Sequence, residues 1–377
     1  MKVSRKARSF WSVLVGGMML TAGLLIGCQS VEEEVASAPV ETTDSVVVTP
    51  KFWAWMHGLK EPLDSSAHAM LSRLDSAGIS AVLTGGDADY LNRFIPIAQE
   101  YGIEVHAWTW IVNQPGNQEC QSHPEWYAVS REGKSSLEER PYVDYYQWLC
   151  PSKHEVRQYL KAKVADKAQV PGLAAVHFDY IRWPDVILPS GLWEKYDLVM
   201  DKEYPPYDFC YCGTCHAAYA AETGNTIDTN WAATEDTAWR AYRYQVITNL
   251  VAELSDTVRS HGVQTNAAVF PYPDLARKLV RQSWDDWDLD AILPMIYHNF
   301  YEEDIAWVGM ATEAGVTDLN GKFPLHTGLY LPSLTPEEMK EAIDQAMANG
   351  AEGVAFFEAN GLTAEHLAVL KSYQAKD

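Results

Sequence analysis

The sequence predicts an α/β protein built as a (β/α)8 TIM barrel with long loops after strands 3 and 4. Three observations predict it. From Lys51 onward, strand-like and helix-like segments alternate eight times, and such alternation gives a parallel sheet that closes when eight units are present. The fourth strand lies in the stretch Leu173 to Asp185, LAAVHFDYIRWPD, an apolar run that ends in charge. Finally, the 327 residues from Lys51 to Asp377 of this 377-residue chain are more than a typical barrel of about 250 residues needs. The surplus falls in two loops, Asn113 to Pro151 and Trp183 to Thr234. Loops of that length in a compact domain usually carry function.

The elements run in order. Residues 1–27 read as a leader: Lys2, Arg5, Lys6 and Arg8 precede an apolar run. Leu25-Ile26-Gly27-Cys28 resembles a bacterial lipobox. That resemblance implies cleavage before Cys28, lipidation of its thiol and a membrane anchor there. It makes the protein an exported lipoprotein, expected in the outer membrane of a Gram-negative bacterium and facing the surface. A plain signal peptide or a single membrane anchor is the other reading. Residues 28–50 are an acidic, flexible tether without strand or helix period, and residues 51–377 form the catalytic domain. Strands are expected at 51–57, 80–85, 104–112, 174–182, 263–271, 289–298, 324–331 and 353–358. Helices are expected at 65–77, 88–101, 152–168, 235–261, 273–283, 302–314, 335–349 and 363–374. Thr335-Pro336-Glu337-Glu338 starts one of these helices and Asn349-Gly350 ends it.

The net charge is −22, and loss of the leader's four basic residues takes it to −26. Such a surface repels nucleic acid, so no nucleic-acid partner is expected, and it favours a neutral or cationic substrate.

Strand side chains alternate faces. Facing inward are Trp53, Trp55 and His57 on the first strand, His106, Trp108 and Trp110 on the third, and His177 and Asp179 on the fourth. His326 and Tyr330 follow on the seventh strand, Phe356 and Glu358 on the eighth. On the sixth, Pro294 permits a kink, so either Tyr297 or His298 faces in. Indole rings stack on sugar faces, and His, Arg and Tyr bind sugar hydroxyls. Two carboxylates among such residues suit glycoside cleavage, which needs one protonated and one ionised. Asp179 and Glu358 are the catalytic pair. Asp179, next to Arg182, is expected to stay ionised, and Glu358, closing the apolar strand GVAFF, is expected to be buried with a raised pKa, a salt-bridged strand end being the other reading of Glu358. Trp53, His57, Trp110, His177, Arg182, Trp183, Tyr272, Tyr297, His298 and Tyr330 are expected to bind the oligo- or polysaccharide. Asp87, Asp185, Asp274 and Glu302 are reserve acids.

The motifs AAVHFDYIRWPD and LDAILPMIYHNFY resemble the glycosyl-hydrolase-like TIM-barrel family of the glycosyl-hydrolase-like 10 type. That group includes a lipoprotein hydrolase of peptidoglycan glycan strands. The resemblance implies that Asp179 is the leading catalytic or substrate-binding carboxylate and that Tyr297 lines the site. The same strand distantly echoes family 18 chitinases, but Ile181 stands where their acid glutamate would be, so that mechanism is not carried over. Cys210, Cys212 and Cys215 are similar to the zinc-binding cysteines of family 42 β-galactosidases. Cys120 is taken as the fourth thiolate, with Cys150 as the alternative. A structural zinc ion is expected on this reading, and no cofactor for catalysis. The competing reading is disulfide formation in an oxidising compartment, although five cysteines beside Cys28 cannot all pair.

Three functions compete. The first is a lipid-anchored glycoside hydrolase acting on a neutral or amino-sugar glycan. The second is a carbohydrate-binding surface lipoprotein with a degenerate barrel, which Ile181 favours. The third is a metal-dependent hydrolase using His57, His106, His177 and His326, against which stands the lack of an H-x-H pair on the first strand.

Overall fold

The computed structural model describes residues 49–228 and 230–374. The leader, most of the tether and Cys28 lie outside the described residues. The unit that holds the barrel runs from Val48 to Asp377.

Eight parallel strands form the barrel: β1 (Lys51–Met56), β2 (Ile79–Thr84), β3 (Glu104–Trp110), β4 (Ala175–Asp179), β5 (Gln264–Val269), β6 (Ala291–Pro294), β7 (His326–Tyr330) and β8 (Gly353–Phe357). They pair in the order β6-β5-β4-β3-β2-β1-β8-β7. Parallel bridges Ile292↔Leu325 and Met295↔Gly328 join β6 to β7 and close the ring. Gly328 is required there, because a Cβ would lie 2.7 Å from the Pro294 carbonyl oxygen.

The helices are α1 (Leu63–Asp75), α2 (Ala88–Glu100), α3 (Gln118–Gln121), α4 (His154–Ala168), α5 (Gly213–Thr223), α6 (Thr237–Arg259), α7 (Pro273–Val280), α8 (Ala306–Leu319), α9 (Pro336–Ala348) and α10 (Ala364–Gln374). Local chemistry starts several of them. The Asp87 and Asp236 carboxylates cap α2 and α6, and Thr335 with Glu338 forms a reciprocal capping box on α9.

The strands are apolar on both faces because both are covered. On β1, Phe52, Ala54 and Met56 pack outward against helices, while Trp53 and Trp55 point into the barrel with Ala81, Leu83, Ala268, Leu293 and Ala355. The expected inward parity holds on β1, β3, β4 and β7. On β8 it is shifted by one. Trp55 pairs in register with Phe357, so Ala355 and Phe357 face in, and Phe356 belongs to the outer core. The strands also end sooner than expected. Tyr180 adopts a left-handed conformation (φ 49°), which no strand continues through. Arg182 and Trp183 are therefore loop residues.

The two surplus loops pack on each other above β3 and β4. Within the first, Asn113 bridges Trp148 and Tyr127 bridges Leu149; between the two, Ser130 bridges Phe209. Asp208, buried in the second loop, is ion-paired with Arg243 of α6 and with Arg131 of the first loop.

Candidate active site

At the C-terminal mouth of the barrel lies a cavity of about 400 Å³. Its floor is Trp55, Ala268, Met295 and Phe357, and its walls include Trp108, Trp110, Tyr180, Tyr297 and Tyr330. The strand-3 loop adds Tyr142, Tyr145 and Tyr146, and the strand-4 loop adds Leu188, Pro189, Leu192, Lys195 and Tyr196. The end of β4 delivers Asp179 into this aromatic cup.

Asp179 accepts two hydrogen bonds, from Trp108 Nε1 to Oδ2 (2.8 Å) and from the Tyr180 amide to Oδ1 (2.6 Å). Burial nevertheless raises its pKa, outweighing those bonds and the charge of Arg182. The direction is the opposite of the lowering expected from a neighbouring Arg182. Arg182 is turned away from it: its Nη1 donates to Asp185 Oδ2 (3.1 Å) and to the Trp183 carbonyl (2.9 Å). The guanidinium is buried over the rings of Trp148, Tyr180 and Phe270 at 4.9–5.3 Å. Asp185 Oδ2 also accepts from Tyr146 OH (3.1 Å). Asp185 thus carries the counter-charge for Arg182, and both line the cavity.

Glu358 is not buried as expected. Its side chain is 27% exposed, and Oε2 lies 3.2 Å from Nε2 of His57, a cavity residue. The His57 ring packs on Trp108 with centroids 5.4 Å apart. A contact chain Asp179–Trp108–His57–Glu358 therefore joins the two carboxyl groups. β4 and β8 stand four strands apart in the ring of eight; Asp179 lines the cavity, whereas Glu358 does not line it and touches it only through His57.

Of the residues expected to bind substrate, His57, Trp110, Arg182, Tyr297 and Tyr330 line the cavity. The sixth-strand ambiguity resolves to Tyr297. Five others do not line it. Trp53 sits a layer below Trp55, stacked on His326 at 3.8 Å. His177 is fully buried under the floor, where Nε2 accepts from Trp55 Nε1 (3.0 Å) and Nδ1 meets Asn266 Oδ1 (2.6 Å). Burial lowers its pKa to about 3, so it is neutral. Trp183 is buried on the far side of Arg182 and donates to the Arg243 carbonyl. Tyr272 packs on Trp307. His298 opens the short helical turn His298–Tyr301, whose Phe300 and Tyr301 face the cavity instead. Among the reserve acids, Asp185 reaches the cavity, Asp87 caps α2, Asp274 is an exposed partner of Arg277, and Glu302 is exposed.

Trp55 and Trp108 were legible as inward-facing residues but not as the groups that floor the cavity and hold Asp179. Tyr142, Tyr145 and Tyr146 were missed. The signal available was the aromatic density of PYVDYYQW in a long loop.

Cys150, Cys210, Cys212 and Cys215 converge, with all four sulfurs within 4.8 Å of one another. Cys150 thus takes the place expected of Cys120, which is buried beside Tyr159 and Lys163. Among the described residues, His57, His106, His177 and His326 form no ligand cluster. They are spread over successive barrel layers, which removes the metal-hydrolase reading based on them.

A family model described as "Putative glycosyl hydrolase domain" matches residues 91–317. No curated protein matches the sequence. Among solved structures, the chain is similar to the PgaB (BpsB) glycoside hydrolase domain from Bordetella bronchiseptica (TM-score 0.66, 13% identity, 87% of this chain and 99% of that one). It is similar to the β-galactosidase of the psychrophilic Marinomonas ef1 (0.62, 12%, 86% and 59%). The catalytic domain of a Paenibacillus polymyxa β-amylase is a third (0.60, 12%, 88% and 100%). At such identities the likeness is one of fold.

Proposed function

This chain belongs to the family of that glycosyl hydrolase domain, and from that premise we propose that it is an exported, lipid-anchored glycoside hydrolase that cleaves a neutral or amino-sugar glycan. One observation carries the reading: a carboxyl group with a raised pKa stands at the end of β4 inside an aromatic cavity. A protonated carboxyl is what the leaving glycosidic oxygen needs. Asp179 is the general acid, which reverses the role expected from its neighbour Arg182. The tryptophan and tyrosine faces stack the sugar rings. Glu358, paired with the cavity residue His57, supplies the second carboxylate, as nucleophile or as base for water. The acidic surface supports an uncharged or cationic glycan over an anionic one. Cys28, at the end of the leader, is the anchor.

The test is Asp179→Asn, assayed by reducing-end release on a panel of neutral and amino-sugar polysaccharides. Turnover is expected to fall by about a thousandfold or more, with the circular dichroism spectrum and sugar binding retained. Full activity in this variant would remove the assignment. Binding without cleavage by the parent protein would establish the carbohydrate-binding reading instead. Cys28→Ser is expected to move the protein from the membrane to the soluble fraction, and unchanged fractionation would remove the anchor.

A further inference from the structure

We propose that Cys150, Cys210, Cys212 and Cys215 bind one zinc ion, and that this ion pins together the two loops that wall the cavity. Three of the sulfur pairs are 3.5–3.7 Å apart: Cys150–Cys215, Cys150–Cys212 and Cys212–Cys215. A disulfide needs about 2.05 Å, so these are not bonded pairs. Four thiolates at about 2.3 Å from a tetrahedral zinc ion would stand roughly 3.8 Å apart, which is the spacing seen here. All four side chains are buried, and no disulfide joins any cysteine of the described residues.

The surroundings suit thiolate sulfur. The Val129 amide donates to Cys210 Sγ (3.2 Å), and the Ser152 hydroxyl lies 3.3 Å from Cys215 Sγ. Such outer contacts orient and stabilise metal ligands. Four soft donors in a closed, buried set select zinc in a structural role, with no position left for substrate.

The placement sets the consequence. Cys150 closes the strand-3 loop four residues after Tyr146, and its amide donates to the Trp126 carbonyl (2.8 Å). Cys210, Cys212 and Cys215 belong to the strand-4 loop and the start of α5. Nearby, the two loops also meet through the Ser130↔Phe209 bridge, the Arg131–Asp208 ion pair, the bond from the Tyr211 amide to the Val129 carbonyl, and the stacked rings of Tyr142 and Tyr207 at 4.4 Å. Tyr142, Tyr145 and Tyr146 on one loop, and Leu188, Leu192 and Tyr196 on the other, are cavity wall. The ion therefore holds the wall, while the barrel strands close without it.

The measurement is made on the whole protein and does not depend on catalysis. Elemental analysis after purification without chelator is expected to give one zinc per chain. Cys120→Ser should keep it and Cys150→Ser should lose it. Wild-type protein supplies the arm that needs no folded variant. Stripping zinc with a chelator should speed hydrogen exchange at 126–150 and 207–216 by about tenfold while β5–β8 stay protected, and Zn2+ alone should reverse the change. A metal-free protein with a disulfide among the four cysteines, iron in place of zinc, or unchanged exchange after zinc removal would overturn the proposal.

Discussion

Trp108 is the side chain that holds the Asp179 carboxyl. Its indole N–H lowers a carboxyl pKa that burial raises. Trp108→Phe removes that donor and leaves the ring volume largely in place. With Asp179 as the proposed general acid, the alkaline limb of kcat/KM belongs to a group that must be protonated, and activity is expected to fall as pH rises through its pKa. In the variant that limb is expected to move to higher pH, by up to about one unit for a lost bond of roughly 1–1.5 kcal/mol. A pH–rate profile that does not move, or moves down, would show that Asp179 is not the titrating acid. Asp179 was legible from strand parity alone, because a charged residue on the inner face of a barrel strand has nowhere to point but the mouth. The partner of Arg182 was not legible. It depends on the left-handed turn at Tyr180, which redirects the chain and is invisible to a period-two pattern.

Between elements, one glycine decides how the mouth is roofed. The segment Ser190–Leu192 of the strand-4 loop packs on the His298–Tyr301 turn after β6, and Ser190 Oγ donates to the Tyr301 carbonyl (3.3 Å). A Cβ at Gly191 would meet the Asn299 carbonyl oxygen at 2.4 Å and the Phe300 carbonyl at 2.9 Å. Gly191→Ala is expected to force the two segments apart at a cost of about 1–3 kcal/mol. It should speed proteolysis near residue 191 while the barrel core keeps its resistance. Unchanged proteolysis and an unchanged melting temperature would show that the contact is not tight in solution. The eight-unit alternation made the strand and helix order legible, with ends differing by a few residues. The contact of these two loops was not legible, because nothing in either loop specifies the other. The face reversal on β8 escaped for a related reason. GVAFF is apolar throughout, so only its pairing with β1 tells which side is inner.

For the molecule as a whole, the neutral histidines set its response to acid. Burial, the leading cause, lowers the pKa of both His177 and His326 to about 3. In the unfolded chain each titrates near 6.5. Between these values the unfolded state binds protons that the folded state refuses, so stability rises with pH across that window and is lost on acidification. Moving from about pH 7.5 to pH 5 should cost roughly 2 kcal/mol for each histidine. Urea unfolding at the two pH values checks this, and equal stabilities would contradict neutral, buried histidines. Asp179 acts in the opposite sense, since its raised pKa makes deprotonation of the folded state costly. The chain of bonds beneath the cavity adds a last consequence. It runs from Trp55 to His177, through the Asn266 amide, to His106 Nδ1. An amide can join two imidazoles but cannot hand a proton from one to the other, and an indole does not surrender its own. This chain of bonds thus ties β1, β4, β5 and β3 together without feeding a proton toward the mouth.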